Sequence, residues 1–195
     1  IFLHKNDIAK LPMSRHKRFI DSLPFSNYST EFAEYADLNT LEALDPARVT
    51  PIEDGDVFHL GGLDVECIFT PGHSQGHMAF YCASEKICFT GDAMNVDTHL
   101  KSMSRQGMVE YAGMIERFMS RVTPDTVTFS AHLNRPHAMR VPRNIQAACL
   151  EIAGGQLYGD PPGEAIQQHI SAFHNPNIKM HYHGNCCVVY NLATL

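Results

Sequence analysis

Apolar and polar residues alternate through two short stretches in the middle of the chain and then give way to a helical repeat. Residues 57–60 and 63–70 carry the alternating pattern. Gly61-Gly62 between them allows a tight turn, so the pair reads as a β-hairpin. Residues 78–82 and 87–90 form a second strand pair across a short polar turn at 83–86. From residue 105 the period changes. Met108, Tyr111, Ile115, Phe118 and Val122 recur at steps of three or four, one apolar face of a helix over 105–121 that Pro124 ends. Residues 126–130 make a short β-branched strand. A helix over 144–152 stops at Gly154-Gly155, and another over 163–173 begins after Pro161-Pro162. Residues 179–182 and 187–190 close the chain as strands.

The first four residues read like a strand of an interior sheet, and 7–11 like a short helix stopped by Pro12. The basic run 14–18 reads as a solvated face and opens a Ser- and Pro-containing surface loop that reaches Thr30. No internal repeat, low-complexity tract or linker interrupts the chain, so 1–195 is expected to form one domain. Strands that come early in pairs, followed by helices alternating with strands, fit a layered α/β architecture. A Rossmann fold is excluded, because no Gly-rich loop leads from a strand into a helix.

Composition narrows the function classes. At 195 residues, 44% hydrophobic and 18% charged, the chain is an ordinary globular sequence. Its 15 Lys and Arg against 21 Asp and Glu give a formal net charge of −6, a surface that repels phosphate backbones and argues against nucleic-acid binding. No apolar run approaches the roughly 18 residues of a membrane span. The six cysteines include no CxxC pair and fall in apolar stretches, as free thiols of a reducing compartment would, so a cytoplasmic location is expected. The 12 histidines supply the chemistry, since imidazole is the commonest metal ligand.

Three segments each place a metal-competent side chain just after an expected strand. In Thr70-Pro71-Gly72-His73-Ser74-Gln75-Gly76-His77, Pro and Gly force a turn that lifts His73 off the sheet edge. In Phe89-Thr90-Gly91-Asp92-Ala93-Met94 a strand delivers an acid behind a glycine. The third segment, Ser130-Ala131-His132-Leu133-Asn134-Arg135-Pro136-His137, follows the strand from Thr126. Two imidazoles and a carboxylate from successive strand ends suit a borderline-soft divalent ion such as zinc. Singly, each has a plainer account as a hydrogen-bonded histidine or a turn aspartate.

Together these segments resemble the third, fourth and fifth metal motifs of the metallo-β-lactamase superfamily. Asp54-Gly55-Asp56, leading through Gly61-Gly62 into the strand that ends at Thr70, is similar to the stretch before the third motif. The resemblance covers about residues 1–137, and the Gly-His-Ser-Gln-Gly-His form looks most like the glyoxalase II and lactonase-type branches. It implies an αββα sandwich in which His73 binds a first ion, Asp92 bridges two ions and His132 binds the second. His77 matches a position that packs or hydrogen-bonds beside the metals. Two Zn²⁺ ions are implied, with iron and manganese left open.

The family's H-x-H-x-D-H element, which provides four ligands, does not occur in the sequence. Its place in the family order falls ahead of Ile1. The expectation is therefore that the chain corresponds to roughly the last two-thirds of such a domain, without its N-terminal strands, and that a further segment or chain completes the ligands. One local substitute exists in His181-Tyr182-His183, whose H-x-H spacing puts both imidazoles on one face of a strand. An edge strand with two exposed imidazoles accounts for the same spacing.

The chemistry that the resemblance implies is hydrolysis of a small-molecule ester, thioester or lactone by a metal-bound hydroxide, with Asp92 holding the ions. Residues 25–35 and 95–106 lie near the motifs as candidate substrate loops. Two other readings use the same residues: a mononuclear iron oxidoreductase on this scaffold, and a catalytically incomplete binding or structural subunit.

Overall fold

The computed structural model describes residues 1–8, 45–131, 135–157 and 175–195. The basic run, the loop to Thr30, the candidate substrate loop 25–35 and the helix expected over 163–173 lie outside the described residues. So does His132.

The largest sheet has the order β3-β4-β5-β6-β8-β9. Its strands are β3 (Val57–His59), β4 (Asp64–Phe69), β5 (Met78–Cys82), β6 (Ile87–Gly91), β8 (Val127–Ser130) and β9 (His137–Ala138). Strands β3 to β6 run antiparallel to their neighbours, with Cys67 opposite Phe80 and Phe80 opposite Phe89. The next pairing, β6 with β8, is parallel. Parallel neighbours cannot be joined by a hairpin. The chain instead leaves β6, forms β7 (Asp97–His99), and crosses the sheet as helix α2 (Arg105–Arg121) before entering β8. The bounds of β5 and α2 are those that the hydrophobic pattern predicts.

Helix α2 starts at Ser104, whose Oγ accepts a hydrogen bond from the Gly107 amide at 3.1 Å. It buries Met108, Tyr111, Ala112, Met114, Ile115 and Phe118. Arg121 in its last turn pairs with Asp54 and with Glu66 of β4, which fixes the far end of the helix to the sheet. Helix α3 (Arg140–Ala153) packs beside α2 and begins four residues earlier than the apolar pattern predicts. Pro142 is the reason. A proline reads as a helix breaker, yet in the first turn its missing N–H has no intrahelical partner to lose.

Alternation along the strands sorts the sheet into two faces. Ile68, Ala79, Tyr81 and Cys88 lie against α2 and α3 in the main core. Cys67 and Met78 lie on the other face with Ile52, packed by Phe58, Phe69 and Phe80. Phe89 continues that second face at 54% exposure, its ring 5.7 Å from that of Phe129. Ile52 belongs to β2 (Thr50–Ile52), which pairs in parallel with β1 (Phe2–His4); β1 leads directly into the single-turn helix α1 (Lys5–Ile8).

The C-terminal strands β10 (Ile178–His183) and β11 (Cys186–Asn191) form an antiparallel pair, joined in parallel by β7 on the free side of β11. Cys186 to Tyr190 are all buried, one side facing the main core and the other packed with Ile178 and Met180. All six thiols are free and buried. No helix among the described residues is long and apolar enough to cross a membrane.

Ile145 of α3 is fully buried in the main core. Ile145→Ala should lower the free energy of unfolding by about 2–5 kcal/mol, read from the shift in a denaturant transition of unchanged slope.

Candidate metal centre

With β5 lying antiparallel between them, β4 and β6 run in the same direction. β8 follows β6 in parallel. All three strands therefore end at one edge of the sheet, where the segments that follow β4 and β6 meet.

After β4 the chain makes a compact turn. The Thr70 amide donates to the His77 carbonyl at 3.0 Å, and the Gly72 amide donates to the Ser74 carbonyl at 2.9 Å. His73 stands within this turn, its side chain 36% exposed. After β6, Gly91 takes a left-handed conformation (φ +49°), and the Ala93 amide donates to the Thr90 carbonyl at 3.2 Å. That bend presents Asp92, 33% exposed, toward His73, with Nε2 of the imidazole 3.9 Å from Oδ2 of the carboxylate. The end of β8 joins the same edge, because the Ala131 amide donates to the Gly91 carbonyl at 2.9 Å. Asn95 braces that junction: its Nδ2 donates to the Ala131 carbonyl at 3.0 Å, and its Oδ1 accepts from Ser130 Oγ at 3.3 Å.

His77 lies between the two turns. Its Nδ1 is 2.8 Å from Thr70 Oγ1, and a Cβ placed on Gly91 would come within 2.6 Å of its Nε2. Glycine is required at position 91 on both counts, backbone conformation and space. Burial pushes the His77 imidazole below its ordinary pKa, and the neighbouring His73 adds to that effect. A neutral His77 therefore packs and hydrogen-bonds beside His73 and Asp92.

The 70–77 turn is held from outside by α1. Asp7 Oδ2 accepts from Ser74 Oγ at 2.9 Å, and Asp7 Oδ1 accepts from the Gly76 amide at 3.1 Å. Asn6 Nδ2 donates to the Gln75 carbonyl at 3.0 Å. Sequence reasoning missed Asp7, Asn6 and Asn95. Only a contact map could have found them, since Asp7 and Ser74 are 67 positions apart.

The other candidate pair lies elsewhere. His181 and His183 share a face of β10, as their spacing predicts, and both meet Glu151 of α3. His181 Nε2 is 2.7 Å from Oε2 of that carboxylate, and His183 Nδ1 is 2.7 Å from Oε1. Among the described residues no three His, Cys, Asp or Glu side chains stand placed to hold an ion.

The donor set at the strand edge can be tested for fit. Two ligand atoms, each roughly 2.0–2.2 Å from one zinc ion, lie no more than about 4.4 Å apart. The 3.9 Å between His73 and Asp92 falls inside that limit, and imidazole nitrogen with carboxylate oxygen is a donor pair that zinc accepts. The two side chains fit part of a metal centre.

The sequence profile described as the metallo-beta-lactamase superfamily matches residues 3–142, well over half of the chain. The chain belongs to the metallo-β-lactamase superfamily. Among its relatives, a hydroxyacylglutathione hydrolase-like protein of Mus musculus is 29% identical over 89 residues, 42% of this chain and 30% of that protein. The atrochrysone carboxyl ACP thioesterase dmxR1 of Cryptosporiopsis sp. is 50% identical over 48 residues, 24% of this chain and 15% of that protein. The chain thus spans less than a third of the length of the curated relatives it matches. A solved metallo-beta-lactamase family protein from Thermus thermophilus shares the fold, with a TM-score of 0.52 at 18% identity, over 98% of this chain and 71% of that one. The metallo-β-lactamase fold expected from the three motifs is the fold this superfamily chain has.

Asp7→Ala removes the acceptor for both Ser74 Oγ and the Gly76 amide. It should cost about 1–3 kcal/mol of stability and speed amide hydrogen exchange across 71–77, with the β10–β11 pair unaffected. Gly91→Ala should be the more damaging of the two, since it strains the backbone and displaces His77; the order of their melting temperatures checks this.

Proposed function

We propose that this protein is a metal-dependent hydrolase that cleaves a thioester or a related ester or lactone. The observation that carries the reading is the approach of His73 to Asp92, 3.9 Å apart at the edge where β4, β6 and β8 all end. A superfamily with relatives named as a hydroxyacylglutathione hydrolase and an acyl-carrier-protein thioesterase favours the thioester class.

In this reading His73 and Asp92 would hold one ion, and Asp92 with His132 would hold a second. Zinc or a similar divalent ion supplies Lewis acidity, lowering the pKa of water and polarising a carbonyl. The chain's own contribution is positional. Asp92 sits at the tip of a glycine bend with its carboxylate partly exposed. His77, hydrogen-bonded to Thr70, packs against Gly91 and so lies between the two turns. Asp7 and Asn6 fix the His73 turn, so that the imidazole is presented before any ion arrives. The segment after Asp92, over 95–106, contains β7, which pairs in parallel with β11.

The full-length protein, isolated with its metal, should release free thiol from an S-acyl glutathione. A chelator should abolish turnover, and added Zn²⁺ should restore it. Asp92→Asn should lower kcat/KM by on the order of 100-fold or more and remove at least one ion per chain, counted by native mass spectrometry. Turnover that survives complete metal removal would overturn the proposal. A preparation holding one iron per chain and consuming oxygen would replace it with the oxidoreductase reading.

A further inference from the structure

One side chain touches both motif turns from below. Tyr111 lies on the buried face of α2 at 2% exposure, and its hydroxyl donates to the carbonyl of Ala93, the residue after Asp92. Its ring fills the space beside Gly72, the residue before His73. A Cβ at that glycine (φ +147°) would overlap the ring carbons outright. A rigid aromatic on a helix anchored at both ends therefore spans the two turns that carry His73 and Asp92.

We infer that Tyr111 is a positioning residue of the metal centre, setting the separation of His73 and Asp92 through its ring at Gly72 and its hydroxyl at Ala93. The inference rests on the reading of His73 and Asp92 as ion-holding residues. Three features suit the side chain to the task. The phenol has only two side-chain torsions, both restrained by the core around it. Burial, with Cys149 and Asp92 nearby, pushes its ionisation well above the ordinary value, so the hydroxyl keeps the proton it donates. The Ala93 carbonyl belongs to a buried residue, where loss of the donor goes uncompensated by bulk water. Groups that orient metal ligands without touching the ion typically change affinity or activity by about 10–100-fold when removed.

The test compares Tyr111→Phe with Tyr81→Phe in the full-length protein. Tyr81 belongs to the same core, is 3% exposed, and its hydroxyl accepts a hydrogen bond from the Thr123 amide at 3.4 Å, so it controls for the loss of a buried hydroxyl. Tyr111→Phe should keep the circular dichroism of the parent and weaken Co²⁺ binding about tenfold or more, with an altered visible absorption of the bound cobalt. Thioester kcat should fall by a similar factor while KM stays within about twofold. Tyr81→Phe should change none of these. In the metal-free protein, hydrogen exchange should rise at 71–77 and 91–96 in Tyr111→Phe alone. Parental cobalt affinity and absorption in Tyr111→Phe, or equal effects of the two variants, would overturn the inference. A parent protein that takes up no cobalt and cleaves no thioester would instead sink the proposed function, and the exchange measurement would still decide whether Tyr111 sets the two turns.

Discussion

The parallel pairing of β6 with β8 is the constraint from which the rest of the architecture follows. A parallel pair needs a crossover, and here the crossover is α2, which must lie across one face of the sheet to return the chain to the correct end. Once α2 is there, one face of the sheet is buried and the alternation of β4, β5 and β6 is committed in register. That pairing puts the ends of β6 and β8 at a single edge, and the antiparallel β5 between β4 and β6 brings the end of β4 to the same edge. Functional side chains then need only short turns to meet, and the turns after β4 and β6 bring an imidazole and a carboxylate together with no long loop to order.

The turn after β4 is held locally and from a distance at once. Thr70 and His77 close the first turn on itself, whereas Asp7 and Asn6 reach it from a helix that lies far ahead of it in the chain. Such distant bracing lets exposed donors stay in place without a core of their own. The His181, Glu151 and His183 cluster has the same logic at the C-terminal end of α3, where one carboxylate ties a helix to both imidazoles of a strand. Burial pushes that carboxyl up, but the hydrogen bonds and charge of the two histidines outweigh it and hold the carboxyl below its ordinary range.

What the sequence discloses is what local pattern can encode. The five residues of β5 and the seventeen of α2 are read directly, because their apolar spacing has a period and their ends carry turn or capping residues. Strands β7 and β9, of three and two residues, are too short to show a period, and they exist only because β11 and β8 offer an edge. The start of α3 is hidden by Pro142, which local rules count against a helix and the first turn tolerates. At the site, His73 and Asp92 are legible because strand-end motifs in a fixed order mark them. Asp7, Asn95 and Tyr111 are not, since each is an ordinary residue in its own segment and acquires a role only through packing against a distant turn.

The six buried thiols give the molecule a built-in map of its own fluctuations. Each apolar layer carries at least one: Cys67 on the outer face of the large sheet, Cys187 on the far side of β11, and Cys88, Cys149 and Cys186 in the main core. Burial pushes Cys88, Cys149 and Cys187 up to about 12, so near neutral pH these groups are neither ionised nor accessible while the fold is closed. Alkylation at any one of them then proceeds only through molecules in which that layer has parted. The rate at each cysteine becomes a thermometer for its own layer, and the sheet, the helical cover and the C-terminal strands can be followed separately as they open.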